Sequence, residues 1–251
     1  MKIEVQRAEY RDVEAMRGLF RQEANCQIVH DSMLSRGLAD AYLILVDEQL
    51  AGYGAVLNKY DKDRLSEFYT LPQQRGNVLP MFRELLAVSR ATSMEAQTNI
   101  PCMLTLLYDC AEDIVDEKIL FHDAFTSNLV CPQDTFRQAV PADAASIFPH
   151  QHEPVGEWVV ESQSDGAILA TGGFLCHYNP PYGDIYMEVS EAARLQGIGS
   201  FLVQELKRVC YEAGKKPAAR CDTANIASRR TLQRAGLLPC GRFLTGNIRS
   251  S

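Results

Sequence analysis

The stretch that decides the fold is Met187-Glu-Val-Ser-Glu-Ala-Ala-Arg-Leu-Gln-Gly-Ile-Gly-Ser-Phe-Leu202. A short apolar strand runs into a turn whose two glycines, Gly197 and Gly199, bracket Ile198. Beyond the turn Ile198, Leu202, Leu206, Val209, Cys210 and Ala213 recur at helical spacing. The first N–H groups of such a helix have no partner within it, and they lie at the positive end of its dipole. That combination suits an anion, most often a phosphate.

Two common phosphate loops fail here. A Walker A loop needs a lysine and a Ser or Thr after its last glycine, whereas Gly199 is followed by Ser200-Phe201. A dinucleotide fingerprint needs a third glycine where the chain has Leu202. It also opens a strand–helix–strand unit, and this turn follows three strand candidates at Glu157–Gln163, Ile168–Tyr178 and Asp184–Val189.

Upstream, a strand is expected at Ile3–Ala8 and an amphipathic helix at Arg11–Glu23, with Val13, Met16, Leu19 and Phe20 on one face. A short helix follows at Asp31–Gly37 with Asp31 as N-cap. Strands come next at Tyr42–Asp47, Gly52–Tyr60 and Leu65–Leu71. The turn Pro72–Asn77 leads into a helix at Val78–Ala91 and a strand at Met94–Thr98. Met103–Cys110 reads as helix or strand, and Ile119–His122 with Phe125–Cys131 as a strand pair.

Cys131-Pro132-Gln133-Asp134 is the expected boundary between two domains, 1–131 and 134–251. After it the same order restarts: a strand at Phe136–Val140, a helical piece at Ala142–Phe148, three strands, the glycine turn, a helix, a strand at Ala218–Asp222, a helix at Ala227–Ala235 and an extended end. Gln6-Arg7-Ala8-Glu9-Tyr10-Arg11-Asp12 lies 131 positions before Arg137-Gln138-Ala139-Val140-Pro141-Ala142-Asp143, sharing the alanine and the aspartate. Element order and echo together read as a tandem duplication.

Composition bounds the function. The 251 residues carry a formal charge of −7. No basic face supports nucleic-acid binding. No run reaches the length of a membrane span, and the first residues lack a signal-peptide core, so a cytoplasmic location is expected. The eight cysteines form no Cys-x-x-Cys and read as small buried thiols, without disulfides or zinc. His150-Gln-His152, between Pro149 and Pro154, has no further ligand at metal spacing and reads as a loop. No metal is expected.

The string Arg194-Leu195-Gln196-Gly197-Ile198-Gly199 resembles the Q/R-x-x-G-x-G/A signature of the GCN5-related N-acetyltransferase (GNAT) superfamily. Asn225-Ile-Ala-Ser228-Arg-Arg-Thr-Leu232-Gln-Arg-Ala-Gly236-Leu is similar to the family's second motif. The resemblance covers residues 134–251 by motif and the first half by element order. It implies an α+β fold of two tandem GNAT-like domains, each a mostly antiparallel twisted sheet flanked by helices. It also implies acetyl-CoA as co-substrate, with its pyrophosphate on the N–H groups of Gln196, Gly197, Ile198, Gly199 and Ser200 and with Arg194 nearby. Met187 and Val189 would pair with the pantetheine arm through their backbones. Asn225, with Ser228 of the same motif, would bind the arm or cap its helix. Arg229 and Arg230 are candidates for the 3′-phosphate, or simply solvated.

The implied reaction is direct attack of a primary amine on the thioester, the acceptor being a small molecule or peptide and the protein a monomer or homodimer. Glu188 and Asp184, on the strand before the turn, are candidate bases; the alternative is a solvent-facing Glu188 and a turn aspartate. The family's usual tyrosine acid is replaced by Leu232, which leaves Tyr186, Tyr182 and Tyr211 as other tyrosines. Leu232 also keeps open a non-catalytic acyl-CoA-binding protein. In the first half Gln73-Gln74-Arg75-Gly76-Asn77-Val78 starts like the signature, but Val78 replaces the second small residue. That half reads as a degenerate copy; the alternative is CoA binding through Gln73 and Gly76.

Overall fold

The computed structural model describes residues 1–24, 31–177 and 180–249. The chain forms two compact units: one of Met1–Lys118 with Gly241–Ser251, the other of Ile119–Cys176 with Pro180–Cys240. Among the described residues no helix is long and apolar enough to cross a membrane.

The first unit holds β1 (Ile3–Ala8), α1 (Tyr10–Glu23), α2 (Asp31–Ser35), β2 (Ala39–Val46), β3 (Gln49–Leu57) and β4 (Arg64–Thr70). A 3-10 turn at Pro72–Asn77 leads into α3 (Val78–Ser89), β5 (Ser93–Gln97), α4 (Pro101–Cys110) and the start of β6 (Ala111–Asp123). The expected capping role of Asp31 falls outside the described residues. Strands β1 to β4 pair antiparallel in sequence order. The β2–β3 turn uses Asp47 and Glu48, both at positive φ (48° and 66°), whose twist matches that of the flanking strands. Pro101 at the start of α4 resolves the helix-or-strand ambiguity of Met103–Cys110, because proline is pre-shaped for a first turn. Met81, Phe82 and Leu85 of α3 and Met103, Leu106 and Leu107 of α4 pack with Ile44, Leu65 and Met94 of the sheet.

The second unit holds β7 (Asp134–Gln138), a 3-10 turn (Pro141–Ala145), β8 (Trp158–Ser162), β9 (Ile168–Leu175), β10 (Tyr182–Val189), α5 (Ile198–Glu212), β11 (Lys216–Asp222), α6 (Ile226–Arg234) and the start of β12 (Leu237–Ile248). Strands β7 to β10 pair antiparallel, and β11 joins β10 in parallel. Leu202, Val203 and Leu206 of α5 lie on Val160, Ala170, Ile185 and Ala219.

The 131-residue echo has a structural cause. The Asp12 carboxylate accepts the N–H of Glu9 at 3.0 Å, and the Asp143 carboxylate accepts that of Val140 at 2.7 Å. In both places an aspartate three residues along closes the N-terminus of a helical turn. Asp143 is further held by Arg137, and that contact, with the Val140 amide, lowers its carboxyl to about 2.

Two expectations are corrected, one on a strand and one on the cysteines. Phe125–Cys131 is not a strand. The side-chain amide of Gln204 on α5 serves there as a partner, donating to the Leu129 carbonyl (3.0 Å) and accepting the Leu129 N–H (2.7 Å). Cys131–Asp134 is a turn; the compact units part at Lys118/Ile119, and Gly241 onward belongs to the first unit, where Phe243–Asn247 pair with β5. Of the described cysteines only Cys210 and Cys221 are buried; Cys102 and Cys176 are exposed, and all of them are free thiols. Burial pushes the Cys210 thiol up to about 12.

Candidate active site

The turn between β10 and α5 is built around two glycines with different tasks. Gly197 is the helix N-cap at φ +89°, a left-handed conformation that favours glycine. Gly199 lies where a Cβ would stand 3.2 Å from both Thr231 Cγ2 and Val189 Cγ2. It keeps open the narrow gap between the end of β10 and α6. Gly197 offers no capping oxygen. Among the described residues no backbone acceptor takes the N–H groups of Ile198, Gly199 or Ser200. These are open donors at the positive end of a 15-residue helix. Arg194 is exposed, with Nε donating to the Val189 carbonyl at 3.4 Å. Gln196 is exposed and donates to the Ala192 carbonyl. Ser200 is buried.

A cation that the sequence reading missed joins the turn. The Arg234 guanidinium nitrogens lie 3.7 Å from the position of a Cβ on Gly197. Arg229 and Arg230 are exposed on the same helix, α6. Nothing in the spacing singles out Arg234; only the packing of α6 against α5 brings it there.

The parallel ladder runs from Tyr182–Lys216 to Ile185–Ala219 and stops, four residues short of the end of β10 at Val189. The strands part there, and the parting leads to the α5 N-terminus. Asn225 caps α6, its side-chain oxygen accepting the Ser228 N–H at 2.9 Å. Leu232 is only 3% exposed, within the core of α5, α6 and the sheet, so its position offers no proton donor.

Along β10 the side chains alternate. Ile185, Met187 and Val189 take the α5 side of the sheet. Asp184, Tyr186 and Glu188 share the opposite face. Glu188 is buried, and its carboxylate accepts the N–H of Gln151 at 3.3 Å and those of His152 and Glu153 at 3.4 Å each. His150 Nδ1 lies 3.9 Å from Glu188 Oε2. That Nδ1 carries a proton, since it meets the Glu153 carbonyl oxygen at 3.0 Å and a carbonyl only accepts. His150 Nε2 meets the Thr171 hydroxyl at 3.0 Å, and the ring stacks on Phe148. Thr171 stands across the ladder from Glu188. The loop from His150 to Glu153 is thus anchored on the carboxylate. In sequence it showed only two histidines between prolines.

Asp184 is buried beside Arg220, whose Nη2 lies 3.4 Å from Oδ2. Desolvation dominates over Arg220 and, with Glu153, raises this carboxyl to about 6. The Tyr186 hydroxyl lies 2.8 Å from the position of a Cβ on Gly173, its ladder partner on β9. The ring therefore leans toward β9, away from the β11 side where the strands part. Burial, with Glu157 and Glu153, raises its phenol. Tyr211 is largely exposed and donates to Asp123 at 2.7 Å; partial desolvation of the phenol and that contact lift it to about 12.

Comparison with known proteins fits this geometry. Residues 121–237 match the model of the acetyltransferase (GNAT) family. No curated protein matches the sequence. Among solved structures, a GNAT-family acetyltransferase from Colwellia psychrerythraea is 16% identical with a TM-score of 0.73, over 99% of this chain and 100% of its own. A tandem GNAT protein from the clavulanic acid biosynthesis pathway is 12% identical with a TM-score of 0.62, over the whole of both chains. A GCN5-related N-acetyltransferase from Sphaerobacter thermophilus is 16% identical with a TM-score of 0.57, over 99% and 96%. At these identities the likeness is one of fold.

Proposed function

We propose that this chain, whose residues 121–237 match the model of the GNAT family, is an acyl-CoA-dependent N-acyltransferase, with acetyl-CoA as donor and a small-molecule or peptide amine as acceptor. The observation that carries the reading is the parting of β10 from β11 beside the open N–H groups of Ile198, Gly199 and Ser200. A pyrophosphate accepts hydrogen bonds only, and these N–H groups are donors. Arg194 and Arg234 add positive charge. The pantetheine arm would follow the free edge of Tyr186–Val189, where Met187 and Val189 present their backbones.

The acceptor lies, in this proposal, on the face of Asp184, Tyr186 and Glu188. An amine must lose a proton before it attacks. Glu188, near the level where the strands part, takes that proton, with His150 beside it as a positioning residue. Asp184 is the deeper second base, and Tyr186 lines the acceptor side. The amine nitrogen bonds to the thioester carbon, the C–S bond breaks, and the departing sulfur takes a proton from solvent. The first unit acts as a degenerate copy that carries no second transfer site.

Leu232 favours one other reading, a non-catalytic acyl-CoA-binding protein, because its core position removes the usual acid. Release of free thiol from acetyl-CoA with a panel of amines tests the choice. Amine-dependent release supports the transferase. Tight binding of acetyl-CoA with no release across the panel supports the binding protein.

A further inference from the structure

The first unit repeats the parting of strands, and here a half-open cavity lies over the end of β4. Strands β4 and β5 pair only at Arg64–Ser93 and Leu65–Met94. Above that level lies a cavity of about 360 Å³, within the range of small-molecule sites, roughly 300–1,000 Å³. Phe20, Phe68, Val78, Ile100 and Pro101 supply apolar wall. The phosphate turn is not repeated. Pro72–Asn77 is a 3-10 helix, and the N–H of Gln74 is given to the Leu71 carbonyl.

Among the described residues, the charged groups lining this cavity are Glu23 and Arg75, and they pair with each other. The Tyr69 hydroxyl also donates to Glu23, at 2.7 Å. Both members of the ion pair are about half exposed (51% and 43%), so the pair is easily opened. A ligand with a single charge would pair with one member and leave the other facing a like charge. A zwitterion exchanges the pair for two new ones, carboxylate to Arg75 and ammonium to Glu23. Arg75 suits the carboxylate because its planar fork matches two oxygens. The apolar walls then take an apolar side chain.

We propose that the cavity between β4, α1 and the start of α4 binds a free α-amino acid with an apolar side chain. The site is separate from the acyl-transfer reading and does not depend on it. Cys102 lines the cavity and is exposed, so it reports occupancy. Cys176, exposed in the other unit, is an internal control.

The test is alkylation by N-ethylmaleimide, followed peptide by peptide by mass spectrometry. The probes are L-phenylalanine, 3-phenylpropionate, phenethylamine and CoA, each added alone. Millimolar L-phenylalanine should slow modification of Cys102 at least fivefold and leave Cys176 unchanged. Arg75→Gln and Glu23→Gln, both at exposed positions, should each abolish that protection while retaining the wild-type unfolding midpoint. Equal protection by 3-phenylpropionate or phenethylamine would overturn the zwitterion argument. Protection by CoA, or by no probe at all, would overturn the site. None of these outcomes bears on thiol release in the second unit, so the two readings stand or fall apart.

Discussion

Gly199→Val is the sharpest perturbation of the β10–α5 turn, the proposed phosphate site. A Cβ there meets Thr231 and Val189 methyls at 3.2 Å, and Met187 Cε at 3.8 Å. Those neighbours yield by a few tenths of an ångström for alanine. Valine adds two further carbons to the same gap, on the path from the β10 edge to the open N–H groups. A hydrogen bond to a charged group is worth about 1.5–3 kcal/mol. Displacing a pyrophosphate bound as proposed from one or two of these donors would remove about 1.5–6 kcal/mol, a rise in the Kd for CoA of at least roughly tenfold. The fold is affected less. Overpacking costs about 1–3 kcal/mol, offset by only a few tenths of a kcal/mol, about the helix-propensity difference between glycine and valine. Calorimetric titration of CoA into wild type, Gly199→Ala and Gly199→Val reads the affinity, and urea unfolding reads the fold. A folded Gly199→Val protein that binds CoA as tightly as wild type would refute the reasoning.

Other outcomes follow from buried charge. Lys207 donates to the Phe125 and Ala235 carbonyls at 2.8 Å each and pairs with Asp123 at 2.6 Å. Lys207→Met should destabilise by about 3–5 kcal/mol in urea unfolding, and a loss below about 1 kcal/mol would mean that this link does not hold the segment after β6. Arg17, fully buried, makes a two-pronged contact with Glu67 at 2.8 and 2.7 Å, and the Tyr53 hydroxyl donates to the same carboxylate. Glu67→Gln breaks this buried ion pair and should cost about 3–5 kcal/mol, checked by the unfolding midpoint. Asp184 binds its proton more tightly when folded, up to about 6. Its contribution is therefore present below the ordinary carboxyl range and is lost as pH rises from about 4 through 6, by roughly 3 kcal/mol. Asp184→Asn should flatten that part of the stability–pH curve, and an unchanged slope between pH 4 and 6 counts against the burial argument.

What was legible in the sequence is what local chemistry decides. Gly197 and Gly199 announce a turn before a helix because few other residues tolerate φ near +89° or a 3.2 Å approach. The apolar repeat of α5 announces its buried face. Asp12 and Asp143 mark two helical starts because a carboxylate three residues along reaches back to an open N–H. The missed features depend on distant partners. Phe125–Cys131 has strand-like composition, yet its partner is a side-chain amide 75 residues away. His150 carries no periodic signal, and only the fold sets it beside Glu188. Arg234 is one of three arginines on α6 until helix packing brings it to Gly197. The cavity over β4 is invisible because Glu23, Arg75 and Cys102 lie on three separate segments.

The central claim is acyl transfer from the β10–α5 turn, and steady-state thiol release from acetyl-CoA measures it most directly. The expected result is release that depends on the presence of an amine, saturates in acetyl-CoA, and falls at least roughly tenfold in Gly199→Val at subsaturating donor. Saturable binding of acetyl-CoA without amine-dependent release, across primary amines of small molecules and peptides, would contradict it.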